Sequence, residues 1–320
     1  MSLLPKKSNG SPFLILAPME GVGDRCFRKA MASIGGFDEA VAEFLRVPAN
    51  AHIQSLANHY QTDEIHPVPL AAQIMGSDPA LMAAMAQELE KRGAPRIDLN
   101  CGCPSNTVTG RGAGSSLLKD PEFLHQNARA IVEAVSIPVT LKMRSGFEDT
   151  TLFQENLLAA QQSGIKYLTL HPRTKVEGYG PPANWDLIAE AKQLLKIPVV
   201  GNGDILNVAD ALRMLQHTRC DALMIGRGSL INPFIFHEIQ GHFAGVTPRF
   251  STRDLERYIQ VYVNQMASHT PIKIQINKLK QLMGFLFKSN ANLLSKRQTM
   301  LTDSTTDLDS FLRSSLQLLL

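Results

Sequence analysis

The sequence predicts an α/β fold, a closed (β/α)8 TIM barrel followed by a small C-terminal helical bundle, on three observations. From residue 13 to about residue 245, short apolar runs alternate with amphipathic stretches of helical length, and the alternation repeats eight times. The runs are apolar nearly throughout, as strands buried on both faces are. A polar or small residue closes almost every run. Strand–helix alternation also allows a doubly wound sheet. The count of eight and the polar strand ends favour the barrel, which collects its ligand-binding groups at the C-terminal ends of its strands.

Taken in order, residues 1–12, rich in Ser, Pro and Gly, read as a flexible tail. Strands are predicted over 13–17, 39–44, 68–74, 96–99, 138–143, 167–170, 198–200 and 222–225. Between them, helices are predicted over 79–92, 121–135, 152–163, 185–195 and 207–218, several stopped by a Gly. A last short barrel helix spans 233–241, and the barrel domain runs over 13–245. No strand-like run follows Gly245, and 253–267, 273–287 and 307–319 have helical period and length, so 246–320 forms the bundle.

The strand ends carry the chemistry. In order they read Pro18-Met19-Glu20, Arg46, Gln73, Asn100 to Cys103, Lys142 with Arg144, His171 with Arg173, Asn202-Gly203-Asp204 and Gly226-Arg227-Gly228. Barrel closure would turn these scattered residues into neighbours around one mouth. Gly-rich turns after the seventh and eighth strands are where barrels hold phosphate with backbone amides, and Arg227 adds a charge. An ordinary loop is the alternative for either turn alone. Lys142 interrupts an apolar strand, where an unpaired ammonium is expensive. Its partner is either a neighbouring carboxylate such as Asp98 or a phosphate-bearing cofactor whose head group turns anionic on reduction, as a flavin does. The Cys101-Gly102-Cys103 spacing could be half a zinc site, but Cys26 and Cys220 stand alone with no Cys/His partner, so no metal is expected. Two ordinary buried cysteines remain the other reading.

Charge is unevenly placed. Between Arg249 and Arg297 there are nine Lys/Arg against two acids, an excess of seven cations that leaves the rest of a +3 chain at −4. A polyanionic partner for the C-terminal segment, or a solvated helical face, explains the excess. Four cysteines without paired spacing point to a reducing compartment, and Lys6 and Lys7 precede only a short apolar run cut by Pro18 and Glu20. A cytoplasmic chain without membrane spans is expected.

Eight motifs in register resemble tRNA-dihydrouridine synthases: Ala17-Pro18-Met19-Glu20-Gly21, Gln73, Asn100-Cys101-Gly102-Cys103-Pro104, residues 110–118, Leu141-Lys142-Met143-Arg144, His171-Pro172-Arg173-Thr174, Asn202-Gly203-Asp204-Ile205 and Gly226-Arg227-Gly228. Glu43 to Val47 and Thr174 to Tyr179 make it most similar to the bacterial DusC subfamily. The resemblance implies an FMN enzyme that takes hydride from NADPH and reduces the C5–C6 double bond of a tRNA D-loop uridine, at position 16 in the DusC subfamily. By position, Cys103 would be the general acid at C5. Pro18, Met19, Glu20, Gln73, Lys142, His171, Asn202, Gly203, Asp204, Gly226 and Arg227 would bind the flavin. Asn100, Arg144 and Arg173 would lie near the substrate base or the flavin, and Arg46 would contact the tRNA substrate. Lys278, Lys280, Gln281 and Arg297 would contact tRNA from the helical domain. Pro172 departs from the Gly or Ala usual in its motif. Another D-loop position, an FMN barrel acting on a free pyrimidine, and a tRNA-binding barrel without catalysis are the competing readings, and a monomer is expected.

Overall fold

In the computed structural model, residues 3–5, 7–180, 182–266, 269–286, 288 and 291–319 are described. Nine parallel strands form one sheet: β1 (Phe13–Leu16), β2 (Glu39–Val41), β3 (Leu45–Val47), β4 (Leu70–Gly76), β5 (Ile97–Cys101), β6 (Val139–Gly146), β7 (Leu168–Thr174), β8 (Val199–Asn202) and β9 (Ala222–Ile225). β1 pairs with both β2 and β9, which closes the barrel. β2 and β3 both pair with β4, so they share one stave and the closed barrel has eight. The single strand predicted over 39–44 is thus split, and its second half starts beyond it.

The first helices are α1 (Arg25–Ile34), α2 (Ile53–Ala57), α3 (Pro79–Lys91), α4 (Asn106–Thr109) and α5 (Pro121–Ala134). After them come α6 (Phe153–Gln162), α7 (Asp186–Leu194), α8 (Val208–Thr218), α9 (Arg227–Ile231) and α10 (Ile235–Ala244). Their starts follow from local chemistry. Asp78 and Asp120 cap α3 and α5 with their carboxylates, each followed by a Pro at the first helical position. α10 ends at Gly245, whose φ of 67° suits glycine at a helix C-terminus.

Alternation along the strands sends Leu99, Leu141, Leu168 and Leu170 into the layer between barrel and helices, and Asp98, Thr140, Lys142 and His171 into the barrel. One side of the interior is apolar, formed by Ile15, Ala17, Val41, Ala71, Tyr167, Val200, Ala222 and Met224. Leu4, 7% exposed, packs into this cluster, and Lys7 pairs with Asp38 at 2.8 Å. The stretch expected to be a flexible tail therefore contributes a plug.

β6 and β7 outrun their predicted ends because they continue to pair with each other, through Arg144 with His171 and Gly146 with Thr174. Pro172 lies opposite the shift in that register, and its carbonyl accepts from the Asn184 N–H at 3.2 Å.

Beyond Gly245 lie α11 (Thr252–Asn264), α12 (Ile272–Leu286), α13 (Ala291–Thr302) and α14 (Leu308–Leu319). Ala267 and Phe287, within two predicted helices, lie outside the described residues. Tyr258, Ile259, Leu279, Met283 and Phe311 join the apolar layer around the barrel, and α11 packs on α1. No helix among the described residues is long and apolar enough to cross a membrane.

Candidate active site at the barrel mouth

β5 ends in a turn that its own side chains hold. Asn100 Oδ1 accepts the N–H groups of Gly102 and Cys103, both at 2.9 Å. Arg144 Nε donates to the Gly102 carbonyl at 2.9 Å, and the Ser115 hydroxyl donates to the Cys103 carbonyl at 2.9 Å. Gly114, at φ 61°, passes so close that a Cβ there would sit 3.1 Å from the Cys103 carbonyl oxygen. The loop is clamped from several sides.

Cys103, 7% exposed, lies against Met75, Val108, Ala113 and Phe44. Burial raises its thiol pKa and the Glu20 carboxylate, 4.0 Å away, adds to the rise against Arg144 and Arg46. The thiol is protonated at neutral pH. Cys101 points instead into the layer between barrel and helices, fully buried, with its pKa pushed far up. The four cysteines are free.

Lys142 reaches the interior from β6. Burial and, after it, Arg144 push its pKa down to about 8, against the pull of Asp98. The Lys142–Asp98 ion pair allowed by the sequence is not made. Asp98 is occupied by Gln73, Thr140 and Arg96. Lys142 has no hydrogen bond or salt bridge among the described residues, so its ammonium awaits an anion.

His171 is held neutral. Burial, then Lys142 and three arginines, push its pKa down to about 2. Arg173 Nη1 lies 3.2 Å from His171 Nε2; a guanidinium only donates, so the ring proton sits on Nδ1. Asp204, at φ 55°, accepts from Arg173 at 2.5 Å, Arg227 at 2.8 Å and the Ala183 N–H at 2.9 Å. Gly203, at φ 113°, leaves no room for a side chain: a Cβ would lie 2.8 Å from the His171 ring. Asn202 donates to the Met224 carbonyl at 2.8 Å.

Two connected hollows result. The wider, about 600 Å³, includes Glu20, Gln73, Asn100, Cys103 and Arg144. The narrower, about 100 Å³, includes Asn202, Gly203, Asp204 and Gly226. Pro18, Met19, Lys142, His171 and Arg227 line both. An enclosed cation at the middle, amides and a neutral imidazole around it, and glycine turns with Arg227 at one end suit a flat, electron-accepting ring carrying a phosphate. The residues fit the flavin that the sequence led us to expect.

Two expected residues stand back from these hollows. Arg173 is buried behind His171 and Asp204, and Arg46 donates to the Thr107 carbonyl at 2.8 Å beside the Cys103 loop. Lys278, Lys280, Gln281 and Arg297 share a separate groove of about 630 Å³ on the helical domain. Three of them are engaged internally: Lys278 with Asp24, Lys280 with the Leu301 and Asp303 carbonyls, Arg297 with the Gly284 carbonyl. Sequence reasoning missed Tyr179, which stands between Arg144 and Arg227, 5.4 and 4.9 Å from their guanidinium carbons. It also missed Phe285, which reaches the mouth from α12. Tyr179 closes a motif already quoted, which was its only signal; nothing in the sequence marks Phe285.

Comparison with known proteins identifies the family. The sequence model of the family described as dihydrouridine synthase (Dus) matches residues 15–311. The tRNA-dihydrouridine(16) synthase of Pseudomonas syringae pv. tomato is 40% identical over 288 residues, covering 86% of this chain and 90% of its own. That of Shewanella oneidensis is 37% identical over 284 residues, covering 85% and 88%. Among solved structures, histamine dehydrogenase from Rhizobium sp. 4-9 superposes with a TM-score of 0.53 at 13% identity, over 78% of this chain and 49% of that one, a likeness of fold. With the family match spanning the whole barrel and most of the helical domain, this chain belongs to the dihydrouridine synthases, a family of flavin-dependent oxidoreductases.

Proposed function

We propose that this chain is an FMN-containing tRNA-dihydrouridine synthase that uses NADPH to reduce the C5–C6 double bond of a D-loop uridine, at position 16. The observation that carries this reading is a protonated Cys103 thiol on the wall of the hollow that Lys142 also lines, its ammonium in no ion pair among the described residues. Lys142 and the Asn202–Gly203 and Gly226–Arg227 turns would hold the FMN, which, once reduced by NADPH, would supply the hydride for C6 of the base. Cys103 supplies the matching proton to C5, as a thiol that burial keeps from ionising to thiolate. Lys142, on the wall shared by both hollows, would offset the negative charge that reduction adds to the flavin. His171, neutral with its proton on Nδ1, offers a fixed donor without adding a second cation. Asp204 keeps Arg173 and Arg227 in place at the phosphate end.

A uridine inside folded tRNA must leave its stack to reach such a hollow, and contacts elsewhere must offset that cost. The groove of the helical domain, rimmed by Lys278, Lys280, Lys288 and Arg297, suits phosphates. Support for position 16 comes from the names of the relatives.

Mapping dihydrouridine by reverse-transcription stops, in tRNA from cells with and without this chain, tests the substrate. Loss of the signal at position 16 alone is expected; an unchanged map overturns the reading. Single-turnover reoxidation of the reduced enzyme by unmodified tRNA tests the thiols. Cys103→Ala should slow it by about 10²- to 10⁴-fold with NADPH reduction intact. Cys101→Ala should leave the rate alone and cost about 1 kcal/mol of stability through a small cavity. A wild-type rate in Cys103→Ala would remove the proton-donor role.

A further inference from the structure

From beneath the mouth a buried chain of polar side chains runs up to the active site, where its upper members, Gln73 and Asn100, line the wider hollow. At its lower end Arg96, buried, donates to Glu39 and to Thr140 and, at 3.2 Å, to Asp98 Oδ1. Thr140 also reaches Asp98 Oδ1, at 2.5 Å. Gln73 Nε2 donates to Asp98 Oδ2 at 2.7 Å, and Asn100 Nδ2 donates to Gln73 Oε1 at 2.9 Å. Asn100 Oδ1 then accepts the Gly102 and Cys103 N–H groups, as described above.

The direction of every link follows from one end. An ionised carboxylate only accepts, so Asp98 takes the nitrogen side of the Gln73 amide. That turns the Gln73 oxygen toward Asn100, which must answer with its own nitrogen. The Asn100 oxygen is thereby left facing two backbone N–H groups. With either amide reversed, N–H would face N–H, a mismatch that is costly between buried groups.

The geometry points to Asp98 as a positioning residue for Cys103: through Gln73 and Asn100, its carboxylate sets the oxygen that holds the thiol-bearing loop. Arg96, itself tied to Glu39, holds that carboxylate in place through Oδ1. The inference rests on the reading of Cys103 as proton donor for its catalytic meaning, while its structural content is testable by itself.

Three variants of the purified full-length holoenzyme separate this role from mere stability. Asp98→Asn presents Gln73 with a group that can also donate, so the amides lose their fixed sense. Alkylation of Cys103 by N-ethylmaleimide, followed by peptide mass, should become several-fold faster. Reoxidation by tRNA should slow by up to about 10²-fold, the scale of a misplacement near 1 Å, while reduction by NADPH is unchanged. Thr140→Val disturbs the same carboxylate but leaves Oδ2 facing Gln73, so both rates should match wild type. Asp98→Asn combined with Gln73→Glu restores an acceptor toward Asn100 and should return the alkylation rate to the wild-type value.

Equal effects of Asp98→Asn and Thr140→Val, or an unprotected thiol in the double variant, would overturn the proposal. Should the Asp98 variants not fold, the wild type decides: by NMR the Gln73 and Asn100 side-chain amide protons should exchange slowly, and exchange at the rate of free amides overturns it. If Cys103→Ala reoxidises normally, the proton-donor reading falls, whereas the alkylation and exchange results still judge Asp98.

Discussion

His171 and Lys142 are both pushed toward neutrality by the same enclosed medium, with opposite results at pH 7. Burial takes His171 from an ordinary value near 6.5 down to about 2, so it carries no charge at any physiological pH. Lys142 falls only to about 8 and stays mostly charged. The ammonium is thus the group that costs stability without a ligand and attracts an anion. The imidazole has a linked consequence: it is neutral in the folded chain and protonates in the unfolded one. Its contribution is complete above pH 6.5 and is lost as pH falls toward 2. By pH 5.5 that loss is about 1.4 kcal/mol from this group. Urea midpoints of the wild type and His171→Asn, measured from pH 7.5 to 5, should therefore converge as pH falls. Parallel curves would mean that His171 is not held neutral.

At the scale of elements, Asp24 has two jobs. Its Oδ1 caps α1 by accepting the Phe27 N–H at 3.1 Å, and its Oδ2 accepts from Lys278 of α12 at 2.6 Å. One carboxylate therefore both starts a barrel helix and ties the helical domain to it. Asp24→Ser should keep the cap and lose the tie, whereas Asp24→Ala should lose both and cost about 1 kcal/mol more. A double-mutant cycle with Lys278→Gln should show coupling of about 0.5 kcal/mol with Asp24→Ser, small because the pair is partly solvated. Zero coupling in thermal or urea unfolding would show that Lys278 is free to serve another partner. The break between β2 and β3 belongs to this scale too, since both halves pair with β4 and the interruption places Glu43 against the Gly21 N–H at 2.9 Å.

For the whole molecule, the charge asymmetry and the shape agree: the basic segment forms helices beside the mouth, and Phe285 links its groove to the active-site hollow. Association with tRNA should weaken linearly in log–log plots against salt as counterions are released. Lys278, Lys280 and Arg297 are poor probes of that slope, because each also holds a carboxylate or carbonyl of this chain. Lys288 rims the groove, exposed, over the Phe285 ring. Lys288→Gln should lower the slope by about one at unchanged melting temperature. A salt-independent affinity would sink the role of this face.

Much of this was legible in order along the chain. Apolar runs of strand length, repeated eight times with polar ends, are set by local patterning, because strands buried on both faces are predominantly apolar. The Cys103 loop and the glycine turns were legible for a similar reason: each is a short segment whose neighbours hold it. What patterning could not show was which partners meet. The α13 segment was missed because only Met300 of its residues is buried, so it bears almost no apolar stripe to read. Whether Lys142 pairs with Asp98 was undecidable in one dimension; the barrel decided it by giving Asp98 to Gln73, Thr140 and Arg96. Motif position singled out Cys103, but composition and spacing did not show where either thiol lies; the turn after β5 sends Cys101 into the helix layer and Cys103 to the mouth. The sequence by itself determined the eightfold strand pattern, the longer amphipathic helices and the residue types at the strand ends. Tertiary structure alone decided charge states and pairings, because burial and hydrogen-bond direction depend on groups brought together from distant parts of the chain.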